Sequence, residues 1–189
     1  SKKEIDDAEA GKGTADMTRA KQFKSVFRMI TPTLNMSDIP MIAINHTYDS
    51  QGLFPTKVVA GGTGMYYSAD NIWIIGRQQE KEGTEIAGYN FIINVEKSRY
   101  IKEKSKIPVT VKFEGGIDKW SGLLDMALDA GCLSQSGAWY QKVDLKTGEV
   151  LDKKYRAKQL NTSEVWSPIL QSETFVNYLA DRYAISSGD

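Results

Sequence analysis

A chain of 189 residues, 41% of them hydrophobic, can bury one core and reads as one domain or one domain with a short appendage. Its 24 basic and 24 acidic side chains cancel, so there is no global basic signature and any nucleic-acid contact has to come from local clusters. The single Cys132 excludes an internal disulfide and suits a reducing cytosol, and no apolar run is long enough to span a bilayer.

The polar opening SKKEIDDAEAGKG lacks the character of a signal peptide and reads as a mobile loop, so a cytosolic protein without a membrane partner is expected. From Thr14 to Ile30, the residues Met17, Ala20, Phe23, Phe27 and Ile30 recur at helical steps and predict a helix stopped by Pro32. The opposite face carries Lys21, Lys24 and Arg28. Three cations on one face repel unless an anion faces them, and an ordinary solvated face is the plain alternative.

Met41–Ile44, a continuous apolar run after Pro40, predicts a strand buried on both faces. It ends at Asn45-His46, where the only histidine of the chain stands. In open α/β sheets ligands bind at the carboxyl ends of strands, although a lone histidine can equally be structural. The connection Thr47–Gly64 holds Gly52, Gly61, Gly62 and Gly64, with Phe54 near its middle and Lys57 just after. A loop of this length is commonly functional, and an aromatic beside a cation suits single-stranded nucleic acid. In the alternative, Phe54 packs back onto the core.

Strands are predicted at Asn71–Gly76, Tyr89–Glu96 and Pro108–Phe113, paired antiparallel because no helix separates them. The run Glu96-Lys97-Ser98-Arg99, followed by Lys102, Lys104 and Lys106, is either a solvated hairpin tip or a phosphate contact at a strand end. Residues 117–130 predict an amphipathic helix with Trp120, Leu123, Leu124, Ala127 and Leu128 inward and Gly131 as its stop. Trp139, Tyr140 and Val143, a turn at Lys146–Glu149, and Val150–Tyr155 read as a hairpin. Ser167-Pro168 looks like a helix start, and Ser172 like the cap of a last helix with Phe175, Leu179 and Tyr183.

One histidine and one cysteine make no metal cluster and no nucleophile pair. Gly61-Gly62-Thr63-Gly64 lacks the Gly-Lys-Ser/Thr ending of a phosphate loop, and no other segment supplies it. Residue-level reading therefore stops at an α/β domain with a histidine at a strand end and a glycine-rich loop.

A family resemblance goes further. Ala43-Ile44-Asn45-His46-Thr47-Tyr48, the loop to Gly61-Gly62-Thr63-Gly64, and Tyr67-Ser68-Ala69-Asp70 resemble the core of RecA-type DNA strand-exchange recombinases, in particular their T-even phage branch. The runs DMTRAK at 16–21, NVEKSRYIKEKSK at 94–106 and GGIDKWSGLLDMAL at 115–128, and Gly137-Ala138-Trp139-Tyr140, are similar too. The resemblance implies a RecA-like α/β core with a mostly parallel sheet, antiparallel strands at one side and flanking helices. Residues 1–130 would form the back half of that core, and 131–189 a small subdomain of hairpin and helices.

It also implies an ATP- and Mg2+-dependent recombinase that coats single-stranded DNA as a helical filament and exchanges strands with homologous duplex DNA. Recombination mediator and single-strand-binding proteins would be its partners, beside its own copies. His46 matches the γ-phosphate sensor, which signals into a DNA-binding loop, Thr47–Gly62, that includes Phe54 and Lys57 and offers the Gly61 and Gly62 amides to phosphates. Asp6–Met17 match another DNA-binding loop. Lys21, Lys24 and Arg28 fall where the family touches the phosphate backbone, Lys97 and Arg99 where a neighbouring subunit's ATP is reached, and Tyr67 at that interface.

Two departures accompany the resemblance. The Walker A lysine, the general-base carboxylate and the Walker B aspartate have no counterpart in these residues, so this polypeptide by itself is expected not to hydrolyse ATP and to be a fragment of the enzyme. His46 stands where other members carry glutamine, a match to the phage branch. Rival readings are a RecA-fold ATPase of helicase type and a non-catalytic RecA-fold DNA-binding paralogue.

Overall fold

The computed structural model describes residues 18–50, 53–60 and 62–185. It divides into two compact units, Ser1–Ile74 and Ile75–Asp189. Among the described residues there are five α-helices, one short 3-10 helix and three sheets, an α/β architecture.

The first unit opens with α1, Thr18–Met36. Of the expected stripe, Met17 lies outside the described residues, and Ala20, Phe23, Phe27 and Ile30 are half-buried, while Lys21, Lys24 and Arg28 are exposed. Pro32 lies inside this helix rather than ending it. A proline removes one helical N–H, and here the apolar stripe continues past it to Leu34. The stop comes later, at Asp38, whose left-handed φ of 51° lets Ile39 N–H donate to Leu34 O at 3.0 Å and Asp38 N–H to Asn35 O at 3.4 Å. This is a Schellman closure with aspartate in place of the usual glycine.

The segment Met41–Ile44, expected as a doubly buried strand, is irregular and exposed, with Ile44 at 98%. A strand buried on both faces needs neighbours, and no described strand pairs with it. The connection expected to be one long loop folds locally instead. β1 (Thr47–Asp49) pairs antiparallel with β2 (Lys57–Val59), in register from Thr47↔Val59 to Asp49↔Lys57, and α2 spans Thr63–Ser68.

Three of the strands that follow are longer than their predicted cores, β3 Asn71–Glu82, β4 Glu85–Ser98 and β5 Lys106–Lys112, and a two-residue β6, Gly116–Ile117, was not expected; they are adjacent in that order. β4 and β5 pair antiparallel as expected, from Gly88↔Lys112 to Asn94↔Lys106. Gly88 is required there, since a Cβ would stand 2.3 Å from the Val111 carbonyl oxygen. Every register described in the three sheets is antiparallel, and the expected parallel strands are not among the described pairings.

The second unit also holds the sheet β7 (Leu133–Ser136), β8 (Trp139–Val143) and β9 (Val150–Tyr155), with α3 (Leu123–Asp129), α4 (Ser163–Leu170) and α5 (Glu173–Tyr183). Their core joins Ala127, Cys132, Leu133, Leu160, Val165, Trp166, Ile169 and Phe175, and draws on both sides of residue 130. Trp120 stacks on Trp166 at 6.3 Å between centroids. α3 starts at Leu123, later than residue 117, because the Asp118 carboxylate takes the Trp120 N–H at 3.0 Å and Gly122 turns left-handed at φ 73°. α4 begins at Ser163, four residues before the expected Ser167, and Pro168 sits within it. Ser172 caps α5 as expected, its Oγ accepting the Phe175 N–H at 3.2 Å.

Candidate nucleic-acid and nucleotide site

In the first unit, the β1–β2 hairpin carries three of the expected residues. Its base is pinned by Asn45, whose Nδ2 donates to Ala60 O at 2.6 Å and contacts Met65 Sδ at 3.5 Å. The Asn45 Oδ1 accepts the His46 N–H at 2.8 Å, and the His46 carbonyl accepts the Ala60 N–H at 2.9 Å. His46 is thus fixed through its backbone while its ring stays exposed. A second clasp closes the hairpin further out, where Ser50 N–H donates to Thr56 O at 2.8 Å and Thr56 N–H donates to Ser50 Oγ at 2.9 Å.

Beyond this clasp stand Leu53 and Phe54, and Phe54 is 90% exposed, so it does not pack back onto the core. Lys57 lies across the hairpin from Asp49 and contacts both carboxylate oxygens at 2.9 and 3.0 Å. An exposed pair of this kind contributes at most about 1 kcal/mol, so a phosphate can compete for the ammonium. Gly61 lies outside the described residues, as does the 6–17 stretch expected to form another DNA loop.

Gly62 precedes α2 with φ 75°, a backbone glycine tolerates. α2 lies tightly on α1: a Cβ on Gly64 would stand 2.6 Å from Lys24 Cβ and 2.9 Å from its Cα. The stem of Lys24 is therefore packed while the residue remains exposed, the usual division for a long cation. On α2, Tyr67 is exposed and meets Tyr66 edge-to-face at 5.9 Å. One unit thus holds Lys21, Lys24, Arg28, His46, Phe54, Lys57, Gly62 and Tyr67.

Lys97 and Arg99 belong to the second unit, at the end of β4. Between them Ser98 is buried, and its Oγ accepts the N–H groups of Tyr100 at 3.1 Å and Ile101 at 3.2 Å. Lys97 lies half-buried within β4, and Arg99 stands exposed one residue past its end. Two cations at a strand end suit phosphate oxygens. Among the described residues no group of three His, Cys, Asp or Glu side chains could hold a metal ion.

Sequence reading missed Asn45 and Asp49 as working residues. The signal for Asn45 was its place between an apolar run and the sole histidine, where a carboxamide commonly bonds nearby backbone. The Asp49–Lys57 pair needs the hairpin register and has no local signal.

Comparison with known proteins adds the family. Residues 120–179 match the C-terminal domain of the bacteriophage T4 recombination and repair protein, UvsX. The whole chain is 47% identical over 194 aligned residues to the recombination and repair protein of Enterobacteria phage T4, covering 100% of this chain and 50% of that protein. Protein RecA of Tropheryma whipplei is 28% identical over 134 residues, 69% of this chain and 31% of its own length. Protein RecA of Bacteroides thetaiotaomicron is 26% identical over 137 residues, 71% of this chain and 42% of its own. The chain spans about half the length of its phage relative. Over all of its residues the chain is UvsX-like, with the bacterial RecA proteins as more distant relatives.

Proposed function

We propose that the protein carrying this chain is an ATP-dependent DNA recombinase of RecA type, which forms filaments on single-stranded DNA and promotes strand exchange with a homologous duplex. The observation that supports this reading most directly is the β1–β2 hairpin, closed at its base beside His46 and presenting Phe54 at 90% exposure. An aromatic side chain held out in water gains by stacking on an unpaired base, worth about 1–3 kcal/mol and tolerant of sequence. Lys57 and the cationic face of α1 supply attraction to the phosphates.

ATP supplies a γ-phosphate that is present before hydrolysis and gone after it. An imidazole within reach of that phosphate hydrogen-bonds it in one state only. The backbone of His46 is part of the hairpin ladder, so a shift at the ring reaches the DNA-contacting tip through Ala60 and Asn45. Lys97 and Arg99 act from a neighbouring copy, where cations stabilise the charge spread over the transferring phosphoryl group and make hydrolysis depend on assembly. Tyr67 packs at that same interface. Mg2+ is held by residues other than those described here, and mediator and single-strand-binding proteins act on the filament.

Mixing two defective variants tests the shared site. His46→Ala and Arg99→Ala should each abolish single-strand-dependent ATP hydrolysis by the full-length protein. Random co-assembly of the two in equal amounts should restore about one intact head-to-tail site in four. A mixture as inactive as its components would place His46 and Arg99 outside a shared site, and DNA binding without any ATP turnover by the unmodified protein would favour the non-catalytic paralogue.

A further inference from the structure

We propose that Lys102 is a positioning residue: it locks the turn after β4 onto the carboxyl end of α5 and so fixes Lys97 and Arg99. The proposal rests on the reading that those two cations serve a neighbouring copy's ATP.

The turn between β4 and β5 is closed on itself and then fastened to the helix. Val95 N–H donates to Ser105 O at 2.9 Å, Lys104 N–H to Val95 O at 2.6 Å, and Lys104 takes a left-handed φ of 64°. From the turn, Lys102 N–H donates to Tyr183 O at 2.8 Å and Ile101 bridges Ala184, while the Lys102 ammonium donates to the Asp181 carbonyl. Ser105 Oγ holds the Lys102 carbonyl at 2.7 Å. The last carbonyls of a helix have no partner within it and carry its negative dipole end, so an ammonium placed there is doubly favoured. The charge of Lys102 is thereby committed to the helix end.

The helix is itself anchored. Phe175 is fully buried, and Arg182 on the last turn donates to the Asp129 carboxylate of α3 at 2.6 Å. At the other end of the turn, buried Ser98 gathers the Tyr100 and Ile101 N–H groups. The backbone from Ser98 to Lys102 is therefore tied at both ends, and Lys97 and Arg99 flank the first tie. A turn released from α5 would leave both cations on a hinge, and a displacement of about 1 Å at a group stabilising a transition state can cost up to a hundredfold in rate.

The test compares Lys102→Met, Lys102→Gln and Lys102→Arg in the full-length protein, with Lys97→Ala and Arg99→Ala in parallel, by amide hydrogen exchange and single-strand-dependent ATP hydrolysis. Lys102→Met should speed exchange across residues 99–105 and 181–184 by about tenfold and leave the Trp166–Phe175 core unchanged, as for a local opening. It should lower kcat about tenfold with KM within about twofold, and Lys102→Arg should recover most of both effects. If Lys102→Met fails to fold, Lys102→Gln should show the same pattern at smaller amplitude. A loosened turn with normal kcat, or unchanged exchange, overturns the positioning role. Normal hydrolysis in Lys97→Ala and Arg99→Ala instead removes the underlying reading of those cations.

Discussion

Replacing Lys21, Lys24 and Arg28 together by alanine separates a phosphate-binding face from a merely solvated one. All three are exposed on one side of α1. Their spacing of three and four residues extends over about 10 Å of helix axis at 1.5 Å per residue. Each cation that neutralises a phosphate on a single strand contributes about 0.7 to the slope of log affinity against log salt, so three contribute about 2.1. Raising salt from about 50 to about 200 mM is a fourfold change, and 4 to the power 2.1 is about 18. The unmodified protein should therefore lose about 18-fold more affinity over that range than the triple variant.

Fluorescence anisotropy of a labelled single strand, at fixed nucleotide and three salt concentrations, reads this directly. Folding should be little affected, since surface substitutions of this kind stay within about 0.5 kcal/mol each and alanine keeps the Lys24 Cβ that meets Gly64. Phe54→Ala is the complementary control, because lost stacking lowers affinity by about 1–3 kcal/mol at every salt concentration without changing the slope. An unchanged slope in the triple variant would refute the phosphate role of α1.

Gly64→Ala should destabilise the first unit. Its new Cβ meets the Lys24 backbone at 2.9 Å and cannot be relieved by side-chain rotation; overpacking of about 1–3 kcal/mol outweighs the roughly 1 kcal/mol of helix propensity gained, and a lowered denaturant midpoint would show it. Acid should destabilise the second unit through carboxylates held below their ordinary values: Asp129 by its hydrogen bond from Arg182 and then from Tyr178, Asp144 by the N–H groups of Lys146 and Thr147, and Glu82 by Lys158. A depressed folded pKa gives stability that is complete above the unfolded value and lost as pH falls through the folded one. The melting temperature should thus hold from about pH 6 to 5 and decline below about pH 4, and the combined variant Asp129→Asn, Asp144→Asn, Glu82→Gln should start lower and stay flatter.

What could be read from the sequence was local. The 3.6-residue stripe of α1 and the Ser172 cap depend on residues a few positions apart, the hairpin from Trp139 to Tyr155 and the β4–β5 pairing join strands that follow one another in the chain, and the structure has all four. Misreadings arose where a local signal met a distant or unusual one. Pro32 and Pro168 each remove one helical bond, too little to end a helix whose apolar face continues. Asp38 ends α1 in a left-handed conformation for which glycine is the usual marker. Residues 41–44 have the composition of a strand, but pairing is a property of neighbours.

The site follows the same division. Phe54 and the cations of α1 stood out as residues, while the Asn45 clasp, the Asp49–Lys57 pair and the Lys102 tie depend on partners 8 to 79 positions away. No helix among the described residues is long and apolar enough to cross a membrane.

Strand exchange separates a recombinase from a protein that only binds DNA. The full-length protein, ATP, Mg2+ and a circular single strand would be mixed with homologous linear duplex, and joint molecules followed on a gel. The expected outcome is joint molecules that require ATP and homology, and that disappear with Arg99→Ala while single-strand binding persists. Single-strand binding with no joint molecules under any nucleotide condition would contradict it.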